Sequence, residues 1–456
     1  MSSPVHASEA FSADTLIHPR WLVPMTEKGL VLTGHSLAIK DAEIVAVGPT
    51  ETLKNACQAS EEISLDNHVL IPGLINAHGH SPMTLFRGFA DDMPLQPWLE
   101  EKIWPAESKW VSEEFVRDGA ALAIAEMLRS GTTAFTDMYF FPEEVAKVAL
   151  EANIRVQLAA PILDFPTVYA RDAEEYIHKT TDLNDRYKNS EHVQVAFGPH
   201  APYTVSDAPL QKISTLANEL EIPIHIHLHE NAREIAEAIK NTGQRPLARL
   251  EALGLLSQLL QCVHVTQLLD DEITLLADAG VTIVHCPASN ANLASGLCRT
   301  QAILDAGINL VLGTDSAASN NELNMINEMR MAALFGKAGS DNAAATSAWD
   351  VLAMATVNGA QALGRGDQLG MLAPGRLADC VAVDLDTLNC QPVFDPVSTL
   401  VYSAQGNQVS HVWVNGKLSL EQGRLVHMDE RDLLPRARDW AGKIRQSAPP
   451  CNPWTP

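Results

Sequence analysis

Apolar and polar residues alternate in short runs at both ends of this chain and follow a longer rhythm between them. From about Asp14 to Asp66 the segments TLIHPRWLVP and GHSLAIKDAEIVAVGP, parted by a turn-like Glu27–Gly29, have the period-two texture of strands bounded by Gly, Pro and Asp. The texture returns in GRLADCVAVDL (375–385) and VSHVWVNGKLSLEQGRLV (409–426). Neither end holds enough apolar residues for a core of its own. The pattern therefore predicts one composite β-sandwich domain built from residues 1–70 and 372–456.

In the middle, strand, loop and helix recur. After an opening strand near Val69, strands are expected at Thr132–Met138, Arg155–Leu163, Val193–Pro199, Pro223–Leu228, Leu260–Val265, Val281–His285 and Asn309–Gly313. Helical stretches such as EEFVRDGAALAIAEMLRSG (113–131) separate them. Eight such units over about 300 residues fit a (β/α)8 TIM barrel across 71–371. A doubly wound sheet is the competitor, but no Gly-rich dinucleotide loop follows the first strand.

The stretch VLIPGLINAHGH (69–80) opens the barrel and ends in His78-Gly79-His80. Side chains two apart on an extended segment share a face, so both imidazoles can reach one ion. In a barrel the active site lies where the strands end. The predicted ends carry His78 and His80, then His200, then His225, His227, His229 and Glu230, then His264, His285 and Asp315. With 16 histidines in the chain, chance places one or two there, not so many.

Histidine and carboxylate without cysteine suit zinc or ferrous iron. The seven cysteines form no C-x-x-C pair, so neither a disulfide framework nor a thiolate site is indicated. A net charge of −24 argues against nucleic acid polymers or an anionic membrane as partners. The N-terminus, MSSPVHASEAFSADTL, lacks the basic start and apolar core of a signal peptide. A cytoplasmic protein acting on a small molecule is expected.

PGLINAHGH, HIHLHE, CVHVTQ, HCPASN and GTDSAAS, in this order, resemble the amidohydrolase superfamily, specifically its branch of cytosine, guanine and adenosine-type deaminases and triazine hydrolases. PLQPWLEEKIWPAE (94–107), DMYFFPEE (137–144) and GPHAPYT (198–204) resemble most the deaminases of 5′-methylthioadenosine and S-adenosylhomocysteine. The resemblance implies that His78, His80, His227 and Asp315 bind one divalent metal, Zn2+ first and Fe2+ second. Periodicity does not choose among His225, His227 and His229; the family's His-x-x-Glu spacing selects His227 with Glu230.

It further implies that Glu230 shuttles protons while His264 and Asp315 orient the attacking water. No lysine stands at the end of strand four, so a single-metal site is expected, with His200 free to contact substrate. His285 is expected behind the ligands or in the pocket, and His229 has no assigned role. Glu107 is the implied acceptor for ribose hydroxyls. The strand-three end, AAPILDFP, has no arginine to hold an amino-acid carboxylate, and Arg171 is the nearest candidate. This departure favours methylthioadenosine, with Leu85, Phe86, Trp98 and the FFP at 140–142 available for its apolar group. Triazine hydrolysis, guanine deamination and a non-catalytic metal-binding barrel are the alternatives, and a homo-oligomer is the family expectation.

Overall fold

The computed structural model describes residues 10–447. Residues 1–9 and 448–456 lie outside the description, and with them most of the stretch read as lacking a leader. Eight parallel strands follow one another in chain order around a barrel: β1 (Leu74–Asn76), β2 (Thr132–Asp137), β3 (Arg155–Ile162), β4 (Val193–Pro199), β5 (Ile224–Leu228), β6 (Leu260–His264), β7 (Thr282–His285) and β8 (Asn309–Leu312). Backbone bonds from Ala77 N to Leu312 O (2.8 Å) and from Asp315 N to His78 O (3.0 Å) bring the last strand against the first. The strands are buried on both faces, because helices cover the outside and side chains fill the inside. That is why they read as near-continuous apolar runs.

The crossover helices carry their own start signals. Glu113–Arg129 begins at Ser112, whose hydroxyl accepts from Phe115 N (3.2 Å), with Glu113 and Glu114 in the first turn and Arg129 in the last. These charges complement the helix dipole. Its apolar stripe, including Phe115, Ala120 and Ile124, is fully buried against the barrel.

Both chain ends supply the second sheet. Eight of its nine strands follow one hydrogen-bonded path, and Leu32–Thr33 pairs off it with Phe11–Leu22. Cys57–Pro72 lies at its centre, parallel to Phe11–Leu22 and antiparallel to Cys380–Asp384. Period two places Val69 and Ile71 in the core shared with the barrel and Leu70 in a separate cluster with Ile17, Leu37 and Trp413. The two apolar runs of the stretch 69–80 part company: the first belongs to this sheet and the second is β1. The break falls at Pro72 and Gly73, and a Cβ on Gly73 would lie 2.0 Å from Thr133 Oγ1. Only glycine lets the chain pass β2 so closely.

The final helix, Glu430–Ser447, leaves this sheet and packs on Glu113–Arg129 through Trp440, whose ring lies 5.3 Å from that of Phe115. The cysteines among the described residues are unpaired and buried. No helix among those residues is long and apolar enough to cross a membrane.

Candidate metal and active site

β1 stops at Asn76, so His78 and His80 stand beyond it on extended chain. Gly313, following β8, leaves room for His78: a Cβ there would meet His78 N and Cβ at 2.8 Å. Backbone turns at the other strand ends aim the remaining ligating groups. His264, Val265 and Asp315 all have positive φ, at 72°, 45° and 60°. Such conformations cost side-chain-bearing residues roughly 1–3 kcal/mol each and concentrate at functional sites.

Two imidazoles have one nitrogen committed to a carbonyl. His80 Nδ1 lies 2.5 Å from Met138 O, and His227 Nδ1 lies 2.6 Å from His200 O. A carbonyl only accepts, so each Nδ1 carries a proton, and in the neutral ring that a metal needs each Nε2 presents a lone pair. His227 Nε2 faces His78 Nε2 at 3.2 Å, and Asp315 Oδ1 lies 3.4 Å from His78 Nε2 and 3.3 Å from His80 Nε2. Electron pairs gathered this way repel unless a cation lies among them. A divalent ion with bonds of about 2.0–2.2 Å sets tetrahedral edges of roughly 3.3–3.6 Å, so the donor set fits one. Burial pushes His78 and His227 well below the ordinary imidazole value, keeping them in the neutral form a metal needs. Burial opposes ionisation of Asp315, yet the imidazoles of His78 and His80 hold it well below the usual carboxylate range.

Geometry alone draws two overlapping triads, His78 with His80 and Asp315, and His78 with His227 and His264, each with ligand atoms within 4.8 Å. His264 thus stands close enough to join the ligands expected from sequence. It is tied from behind, with Nδ1 2.8 Å from Asn290 Oδ1, and its Nε2 lies 3.9 Å from Glu230 Oε2. Asp315 Oδ2 accepts from Ser289 Oγ (2.6 Å) and Ser319 Oγ (3.0 Å), which leaves Oδ1 for the ion. Glu230 accepts from Ser295 Oγ (3.3 Å), and burial raises its pKa. Its backbone N–H and that of His229 both donate to Glu234, which fixes the end of β5.

These groups floor a cavity of about 510 Å³, a size suited to a small molecule. His80, His200, His227, Glu230, His264, Asp315 and Glu107 all line it. Glu107 is half-buried on the helix Trp104–Trp110 and accepts from Tyr139 Oη (2.7 Å). Desolvation lifts its carboxyl to about 7. The rest of the wall is mainly apolar, including Trp98, Phe140, Phe165 and Val168, with Ser108, Thr167, Tyr203 and Ser316 among its polar members, and none of its lining residues is arginine or lysine. Leu85, Phe86 and Phe141 belong to the core instead.

Arg171 is corrected by the structure. Its side chain is 83% exposed and pairs with Glu175 at 2.7 Å, so it does not line the cavity. The helix that follows the loop offers this carboxylate at i,i+4. His229 turns outward and accepts from Leu247 N (3.1 Å), and His285 is buried outside the cavity lining. The sequence reading missed Tyr139, Ser289, Asn290 and Ser319. The last three stand inside quoted motifs, HCPASN and GTDSAAS, where the polar residues near the metal ligands were the signal.

Relatives match this chain over nearly their whole length. The protein of Teredinibacter turnerae named 5-methylthioadenosine/S-adenosylhomocysteine deaminase is 49% identical over 431 residues, covering 94% of this chain and 98% of its own. An adenosine deaminase from Xanthomonas campestris with bound zinc matches with a TM-score of 0.95 at 44% identity, over 96% of this chain and 100% of that one. Atrazine chlorohydrolase from Arthrobacter aurescens, complexed with zinc, matches at 0.88 and 25% identity, over 94% and 100%. Residues 69–419 match the profile of the amidohydrolase family. On that match and on these relatives, the chain belongs to the amidohydrolase family.

Proposed function

We propose that this chain deaminates the adenine ring of 5′-methylthioadenosine by hydrolysis, releasing ammonia and the inosine analogue, with one zinc ion held by His78, His80, His227 and Asp315. The observation that carries the reading is the floor of the cavity, where converging lone pairs and Asp315 Oδ1 stand beside Glu230. Zinc is favoured over ferrous iron by the two structural relatives that hold it. When bound, the ion supplies the Lewis acidity that makes water a nucleophile near neutral pH.

The chain's own residues do the remainder. Glu230, its pKa raised by burial, carries a proton for the ring nitrogen beside the amine-bearing carbon and then assists departure of ammonia. His264 and Asp315 orient the attacking water, and Asp315 accepts its proton. Asn290 and Ser289 hold these two side chains in place. Glu107 accepts hydrogen bonds from the ribose diol, and His200, which lines the same cavity, contacts the sugar or base. A mainly apolar wall without an arginine or lysine suits a methylthio group better than an amino-acid carboxylate, which calls for a bidentate arginine.

The test is a panel assay on metal-quantified protein, following ammonia and the adenine-to-hypoxanthine absorbance change. Methylthioadenosine, S-adenosylhomocysteine, adenosine, guanine, cytosine and a chlorotriazine form the panel. Preferred turnover of methylthioadenosine with one metal per chain is expected. Turnover of the triazine or a free base alone overturns the nucleoside pocket.

A further inference from the structure

His80 and His227 are each oriented by a backbone carbonyl, but His78 is oriented by side chains. Its Nδ1 lies 2.8 Å from Nε2 of His225, the histidine that the family spacing leaves without a role. The two rings share nearly one plane, inclined by 24° with centroids 5.0 Å apart, as a head-to-head N–H···N bond requires. His225 Nδ1 in turn lies 2.7 Å from Gln261 Oε1. The register of β5 on β6 sets His225 directly opposite Gln261. His78 and His225 are fully buried, and Gln261 is 4% exposed.

The direction of every proton in this line follows from its far end. Gln261 Nε2 donates to Ala362 O at 2.8 Å, and only an amide N–H can face a carbonyl there. Oε1 therefore points at His225 and accepts, so His225 carries its proton on Nδ1. The neutral ring then has its lone pair on Nε2, which accepts from His78 Nδ1. His78 is left with a lone pair on Nε2, aimed at Asp315 Oδ1 and His227 Nε2.

We propose that Gln261 and His225 are positioning residues that lock His78 in its metal-binding tautomer, and so set the affinity of the site for its ion. The inference rests on reading His78 as a ligand. Loss of an outer partner of this kind typically weakens metal binding or activity 10–100-fold.

The test is a zinc titration of the full-length, metal-free protein against a chromophoric chelator, with no substrate present. Gln261→Leu and His225→Phe are expected to weaken zinc binding 10–100-fold. Gln261→Glu, whose protonated carboxyl can both donate to Ala362 O and accept from His225, is expected to restore it. Unchanged affinity in a cooperatively folded Gln261→Leu overturns the relay, whereas unchanged affinity in His78→Ala overturns the ligand reading beneath it. Should the variants fail to fold, selectively 15N-histidine-labelled wild type decides. Nδ1–H tautomers for both His78 and His225 are expected, and a proton on His225 Nε2 overturns the proposal.

Discussion

Two carboxyls lining the same cavity have raised pKa values and opposite duties, and their charge states separate them in experiment. Glu230 works as a proton carrier, so Glu230→Gln should leave one metal per chain and lower kcat by about 10²–10⁴-fold, the usual scale for a general acid/base. Metal analysis beside steady-state kinetics checks this, and near-normal turnover at full occupancy would remove Glu230 from the proton path. Glu107 works only when ionised, because a diol donates and a carboxylate accepts. Its carboxyl is lifted to about 7 by desolvation. As pH falls through 7 the acceptor is protonated, and kcat/KM should drop by up to about tenfold per pH unit. Glu107→Gln should lower kcat/KM and abolish this limb; persistence of the same limb in the variant would assign it to another group.

The short helix Pro287–Asn292 shows how one element can govern two functional side chains. Ser289 donates to Asp315 and, one residue on, Asn290 accepts from His264. Asn290→Ala should therefore lower kcat about 10–100-fold with little change in KM, since it frees a water-orienting imidazole without touching the substrate wall. A kinetic split of the opposite kind, KM raised and kcat kept, would place Asn290 at the substrate instead. At this scale the sequence was informative where burial imposed a pattern. The strands of the barrel, packed on both faces, stood out as apolar runs, and their ends displayed the histidines. Less legible were features decided by contacts between distant elements. The break at Pro72 and Gly73 shows in the sequence, but not that the run before it joins the outer sheet, nor that Thr133 packs against the chain there. Trp98–Ile103 takes a π-helical turn that no propensity signals. Arg171 faces solvent because Glu175 lies one helical turn away. Gln261 looked like an ordinary strand residue until β5 placed His225 opposite it.

Across the whole molecule, the reacting groups occupy one end of the barrel, while the other end is fastened to the outer sheet by a buried ion pair. Arg155, at the start of β3, donates through Nε to Asp379 Oδ2 (2.8 Å) and through Nη2 to Oδ1 (3.0 Å), with both side chains under 5% exposed. Asp379 precedes the strand Cys380–Asp384 and also accepts from Asn415 N (2.8 Å), while its carbonyl accepts from Gly73 N (2.9 Å). The barrel entry and two segments of the outer sheet thus meet at one residue, Asp379. Removing one member of a buried pair strands the other's charge, at a cost of about 3–5 kcal/mol, whereas replacing both with apolar residues is often neutral. Asp379→Ala should lower the unfolding free energy by that amount in urea. Arg155→Met with Asp379→Leu should recover much of the loss. Because the pair lies at the starts of the barrel strands and the site at their ends, the folded Asp379→Ala protein should keep its metal content and kcat at 25 °C. A loss of activity that precedes unfolding in urea would instead mean that the outer sheet helps to hold the ligands of the far end in register.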